Sequence, residues 1–199
     1  MRIGVFGGTF DPIHIGHLIA AEEARHTLRL ERVLFAPASQ PPHKEMEGVT
    51  PVRHRVRMVE LALEGNPAFE LSMVDLDRPG PSYTVETLRL LHRDLGPGTE
   101  IFFIVGMDSL AELRSWRDPE QVIALCRLAV LNRPPYPDVD TAELERGLPG
   151  ISDRIVMVRM PGVNVASSDL RERVSSGLPI KYQVPAAVER YILENRLYR

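Results

Sequence analysis

The sequence predicts an α/β fold: a doubly wound, Rossmann-like, mostly parallel sheet of about six strands, finished by a helical C-terminal cap. Three observations predict it. Short, β-rich apolar runs alternate with segments of helical spacing, turn and breaker residues punctuate the changes, and the chain after Pro161-Gly162 carries helical patterns with no further strand. Alternation of this kind implies βαβ units, which stack parallel strands beneath helices on both faces.

In order, the runs Arg2 to Phe6, Arg32 to Ala36, Phe69 to Val74, Ile101 to Val105, Leu128 to Leu131 and Ile155 to Val158 are expected as strands. Helical spacing is found at Leu18 to Leu28, Arg53 to Leu63, Val85 to Leu95, Ser109 to Leu113 continuing through Glu120 to Leu125, and Ala142 to Arg146. Breaks coincide with Gly65-Asn66-Pro67, Arg78-Pro79-Gly80-Pro81, Gly96-Pro97-Gly98 and Asn132-Arg133-Pro134-Pro135. Ser168 to Ser175 and Val184 to Asn195 form the cap. A chain of 199 residues, 44% hydrophobic, buries one ordinary core. A single domain over 1–199 is therefore expected, with an α/β core at 1–160 and a helical C-terminal subdomain at 161–199.

Composition narrows the function. A net charge of −3 provides no global basic field, so no nucleic-acid partner and no anionic membrane partner is expected. No apolar stretch is long enough to span a bilayer, and Met1 to Phe6 meets Gly7-Gly8 too soon for an export signal. Cys126, the lone cysteine, excludes an intramolecular disulfide and a cysteine-based zinc cage. A cytoplasmic enzyme with its anion sites built locally is the expectation. Nothing in the sequence specifies an oligomeric state. Of 24 basic residues only Lys44 and Lys181 are lysines, which draws attention to Lys44 on its Pro-Pro loop.

The densest signal is Gly7-Gly8-Thr9-Phe10-Asp11-Pro12-Ile13-His14-Ile15-Gly16-His17-Leu18, joining the first strand to the first helix. Ligands in open α/β sheets sit at the carboxyl ends of strands. Adjacent glycines let backbone approach a phosphate, and a helix N-terminus adds unpaired N–H groups and partial positive charge. Neither the P-loop nor the three-glycine dinucleotide pattern is present. His14 and His17, three apart, would share a helical face and aim at one ligand. A zinc pair is less well matched, because helical zinc pairs are usually four apart with a third ligand; no metal ligand is assigned.

A second anion site is expected at Ala166-Ser167-Ser168-Asp169-Leu170-Arg171, where Ser167 or Ser168 would cap a helix and Arg171 would lie in its first turn. Its plainer reading is an ordinary capped helix with a surface arginine. Gly106-Met107-Asp108 follows the fourth strand at the topological switch, where Asp108 could cap the next helix. Trp116, the only tryptophan, is flanked by Arg114, Ser115, Arg117 and Asp118, which favours partial exposure and ring stacking over a plain core role. The Ser39 to Val52 loop, poor in large apolar anchors, is a candidate lid.

The element His14-Ile15-Gly16-His17 resembles the (His or Thr)-x-Gly-His signature of the nucleotidyltransferase superfamily, which class I aminoacyl-tRNA synthetases share. This chain is too short for a synthetase and lacks the lysine-bearing Lys-Met-Ser-Lys-Ser element. Together with Pro41-Pro42-His43-Lys44, Ser82-Tyr83-Thr84, Gly106-Met107-Asp108, Trp116 and the run from Val184-Pro185 to Leu197-Tyr198, the chain over essentially its whole length resembles bacterial nicotinate-nucleotide adenylyltransferases. Where that family commonly has Ile-Ser-Ser-Thr-x-Ile-Arg, Ala166 replaces the first serine and Ser168 the threonine.

The resemblance implies transfer of the adenylyl group of ATP to nicotinate mononucleotide, with Mg²⁺ carried by ATP. It implies catalytic roles for His14, His17 and Arg171, and ATP contacts from Gly7, Gly8, Thr9, Phe10, Gly16, Gly106, Asp108, Ser167 and Ser168. The mononucleotide would meet His43, Lys44, Tyr83, Thr84 and Trp116. Two alternatives stand beside it: phosphopantetheine adenylyltransferase, usually a shorter chain without the Ser-Tyr-Thr and Trp features, and a non-catalytic nucleotide sensor. Because Pro81-Ser82-Tyr83-Thr84 is expected to open a helix, its free N–H groups should favour a carboxylate over a carboxamide.

Overall fold

A computed structural model describes residues 1–41, 48–132 and 141–199. Six strands, β1 (Arg2–Gly8), β2 (Arg32–Pro37), β3 (Phe69–Leu71), β4 (Glu100–Gly106), β5 (Arg127–Asn132) and β6 (Ile155–Arg159), form one sheet in the order β3-β2-β1-β4-β5-β6. Every pairing is parallel. The order reverses between β1 and β4, and this switch point is where helices leave the two halves in opposite directions, opening a crevice.

Strand period two divides the buried side chains between the faces. Val33, Phe35, Phe102, Ile104, Ala129 and Leu131 face one core; Leu34, Ile101, Phe103, Val105, Leu128 and Val130 face the other. The first core is covered by α1 (Ile15–Leu28) and α2 (Val52–Leu63), the second by α3 (Thr84–Leu95), α4 (Met107–Ala111), α5 (Pro119–Leu125) and α6 (Thr141–Gly147). The C-terminal helices α7 (Ser167–Ser175) and α8 (Ala186–Glu194) insert Leu170, Val174, Val188 and Ile192 into the first core. Among the described residues no helix is long and apolar enough to cross a membrane.

Two elements depart from expectation. The third strand ends at Leu71: Ser72 N–H still donates to the Phe35 carbonyl, but Met73 accepts from Leu76 and Asp77, turning the chain away before Val74. The helix expected to run from Ser109 through Leu125 is broken into α4, a 3-10 turn at Leu113–Ser115, and α5. Pro119 opens the last piece: lacking an N–H and disfavouring helical geometry in the residue before it, it suits the first position of a new helix. Between the pieces Asp118 adopts left-handed backbone (φ 50°) and Trp116 is extended. The break turns Trp116 and Arg117 toward the crevice.

Candidate active site at the topological switch

Two cavities flank the carboxyl ends of β1 and β4. The first, about 280 Å³, is lined by the loop residues Gly7, Gly8 and Thr9 on one side and by Tyr83, Thr84, Trp116 and Arg117 on the other. The second, about 230 Å³, contains His14, Gly16, His17 and Asp108 with Met160 and Val165. Phe6, Gly106 and Ser109 line both, so the cavities share one wall at the switch point. Each is large enough for part of a nucleotide, and the two meet at a single junction.

His14 and His17 meet, but not by sharing a helical face. His14 is the extended N-cap of α1 (φ −144°, ψ 171°) and His17 its third residue. Their rings stack at 3.7 Å between centroids. His14 backbone N–H donates to His17 Nδ1 at 3.2 Å, so a neutral His17 carries its proton on Nε2. Phe6 and Phe10 pack edge-on against the His17 ring, at 5.8 and 5.2 Å. Cap geometry and packing thus fix one donor. Gly16 makes this possible: a Cβ there would stand 3.0 Å from His14 Nδ1.

Tyr83 is the N-cap of α3, and Thr84 its first residue. The first N–H groups of a helix have no intrahelical acceptor; those of Thr84 and Val85 have no backbone partner among the described residues, and Tyr83 and Thr84 line one end of the first cavity. Trp116 is half-buried, its ring edge-to-face with Phe103 at 6.1 Å. It therefore does both things weighed for it, packing one edge on the core and exposing another to the cavity.

The loops are tied from beneath by residues with no assigned role in the sequence motifs. Arg55, on α2, is fully buried, and its guanidinium donates to the carbonyls of Thr50, Thr9, Ala38 and Ser39. Burial pulls its affinity for a proton down, with the Asp11 charge opposing. The Asp11 carboxylate accepts from Tyr198 Oη at 2.7 Å and from Thr50 N–H at 3.1 Å. Burial first, then the Asp11 charge, pushes the Tyr198 hydroxyl above the ordinary tyrosine range, so it stays a donor. Burial also pushes the Cys126 thiol up to about 12, which removes it as a nucleophile. We expect Arg55→Leu to destabilise the fold by at least about 2 kcal/mol, since buried acceptors left unpaired cost about 1–3 kcal/mol each. Thermal denaturation checks this; an unchanged Tm would mean that the four carbonyls find other partners.

The cytidylyltransferase-like family model matches residues 5–173. A Thermomicrobium roseum protein named probable nicotinate-nucleotide adenylyltransferase is 48% identical over 198 residues, an alignment covering 100% of this chain and 92% of that one. This chain belongs to the nicotinate-nucleotide adenylyltransferase family. A Symbiobacterium thermophilum protein of the same name is 47% identical, with 99% of this chain and 95% of that one covered. The nicotinic acid mononucleotide adenylyltransferase of Plasmodium falciparum, solved in complex with NaAD, is only 19% identical but shares the fold, with a TM-score of 0.80 over 99% of this chain and 97% of that one.

Against this family membership, the individual positions sort as follows. His14, Gly16, His17, Gly106 and Asp108 line the second cavity. Gly7, Gly8 and Thr9, expected on ATP, line the first cavity, opposite Trp116. Phe10 lines neither: it is 3% exposed and packs among Phe6, Phe35 and His17, so its part is to support His17. Neither Ser167 nor Ser168 is the cap of α7. Ala166 is, and the Ser167 hydroxyl instead donates to the Pro12 carbonyl while that of Ser168 reaches Asp169. Arg171 is the fifth residue of α7, past the first turn, and donates to the Asp11 carbonyl at 2.8 Å. Both side chains serve to dock α7 on the first loop. Gly106, not Asp108, caps α4. His43 and Lys44, with the middle of the proposed lid, lie outside the described residues.

Proposed function

We infer that the chain joins ATP and nicotinate mononucleotide to give nicotinate adenine dinucleotide and pyrophosphate, with ATP in the cavity of His14 and His17 and the mononucleotide in that of Tyr83 and Trp116. The observation that carries this reading is the shared wall of Phe6, Gly106 and Ser109. Two phosphorylated substrates, one in each cavity, would meet at that wall. It follows that the mononucleotide phosphate lies near the switch and its pyridine ring at the far end, by Trp116.

An oxygen of the mononucleotide phosphate attacks the α-phosphorus in line, forming one P–O bond as the bond to pyrophosphate breaks. The second pKa of a phosphate monoester is about 6, so the nucleophile is already ionised near neutrality and no general base is needed. What remains is alignment and charge stabilisation. His17 Nε2–H, preset by the His14 backbone, donates to the oxygens on which charge builds, and the α1 N-terminus adds its dipole. Arg171, held to the Asp11 carbonyl, brings a second positive charge to the same loop. The exposed carboxylate of Asp108, on the second cavity, fits contact through water with a Mg²⁺ that arrives on the phosphates of ATP. That ion would neutralise charge on the phosphate oxygens. We take the whole span 1–199 as the working unit, because α7 and α8 share a core with α1 and α2 and Ser167 and Arg171 dock on the first loop. We place the reaction in the cytoplasm, where a lone thiol such as Cys126 stays reduced.

Pyrophosphate release with ATP and three acceptors tests the reading: nicotinate mononucleotide, its amide analogue and phosphopantetheine. The first should be used best. Preference for phosphopantetheine would move the activity to the sister reaction, and release with none would leave only nucleotide sensing. Arg171→Ala should raise KM for ATP about tenfold, the scale of one charge-assisted hydrogen bond, with KM for the mononucleotide little changed. Unaltered kinetics would move the second phosphate contact elsewhere.

A further inference from the structure

The far end of the first cavity holds a cation that no acidic side chain among the described residues pairs with. Arg117 lines that cavity, and its guanidinium carbon lies 4.8 Å over the centre of the Tyr83 ring. Among the described residues the Arg117 side chain makes no ion pair or hydrogen bond. Stacking on an aromatic face holds the planar group while leaving its in-plane N–H donors unused. The acidic side chain of the same cavity is not available to it. Asp75 is 4% exposed, is paired with Arg78 at 2.7 Å, and has the Thr87 hydroxyl 2.8 and 2.9 Å from its two oxygens. The cavity therefore presents one neutralised carboxylate and one uncompensated guanidinium, the latter beside the α3 N-terminus.

We propose that the Arg117 side chain is a specificity-determining residue, pairing with the carboxylate on the pyridine ring of the acceptor while the Tyr83 ring holds it in place. The proposal rests on the functional reading above, which fixes the orientation: the phosphate must sit at the Phe6–Gly106–Ser109 wall, so the ring and its substituent lie at the Trp116–Arg117 end. A carboxylate there meets the α3 N–H groups from one side and a planar donor from the other. A carboxamide meets the same groups with half its polar surface carrying N–H donors of its own.

The experiment uses Trp116, the only tryptophan, as the probe. Fluorescence titration with nicotinate mononucleotide and with nicotinamide mononucleotide gives both dissociation constants without any turnover, and kcat/KM is measured for both alongside. Arg117→Ala should weaken the acid about tenfold, the scale of a charge-assisted pair at a partly solvated rim, and leave the amide within twofold. Amide binding also reports that the variant is folded. Equal weakening of acid and amide would overturn the proposal, because the arginine would then serve a group the two ligands share, such as the phosphate. An unchanged acid constant would overturn it as well. Failure of the underlying reading has a different signature: the parent would release no pyrophosphate with the acid, whatever the titrations show.

Discussion

Replacing His17 with alanine is expected to lower turnover about a hundredfold or more, because loss of one preorganised donor to developing charge costs roughly 3 kcal/mol. The expectation rests on how completely the ring is fixed. Its Nδ1 is occupied by the His14 backbone, Phe6 and Phe10 hold its edges, and the His14 ring stacks on its face. A donor held this way needs no reorganisation as the transition state forms, so its contribution falls on kcat more than on ATP binding. The substitution also removes ring contacts and an acceptor, so some loss of stability accompanies it. Circular dichroism and thermal denaturation separate the two effects. A folded variant with parent kcat would remove His17 from the chemistry.

How much of this was legible in the sequence depended on distance along the chain. Short continuous apolar runs marked the strands, and diglycine, histidines and helix start lay within a dozen residues, so the first loop declared itself. The helix start at Thr84 was equally local. The supports beneath the site were not. Arg55 sits among residues with ordinary helical spacing, and its partner Thr9 is 46 residues away. Tyr198 closes on Asp11 across 187 residues. No periodicity encodes such pairings, and an arginine on a helix reads as a surface residue until the fold buries it. Ser167 shows the converse error. Serine before a helical pattern signals a cap, but tertiary contact with the Pro12 carbonyl shifted the start by one residue and put the hydroxyl to another use. The separate start of α5 could have been found, since Pro119 marks it.

The largest effect is expected in the choice between acid and amide acceptors. In the proposed placement the pyridine substituent would lie at the end of the first cavity formed by Tyr83, Thr84 and Trp116, where the N–H groups opening α3 have no backbone acceptor among the described residues. A carboxylate accepts from those groups and gains from the helix dipole, worth about 0.3–1 kcal/mol at an exposed terminus. A carboxamide turned the wrong way sets N–H₂ against N–H, and each buried group left unpaired costs about 1–3 kcal/mol. Sites built for hydrogen bonding discriminate by roughly four to five powers of ten when a partner is lost, so kcat/KM for nicotinate mononucleotide should exceed that for its amide by several powers of ten. Stacking on Trp116 would supply affinity without that choice, because a ring stacks equally on acid and amide. Trp116→Ala should therefore raise KM for both mononucleotides while KM for ATP, bound across the shared wall, stays near the parent value. Steady-state kinetics with both acceptors, in the parent and in this variant, check the two expectations together. Equal use of acid and amide by the parent would refute recognition of a carboxylate at the start of α3, and a rise in KM for ATP matching that for the mononucleotides would show that Trp116 shapes both cavities rather than stacking in one.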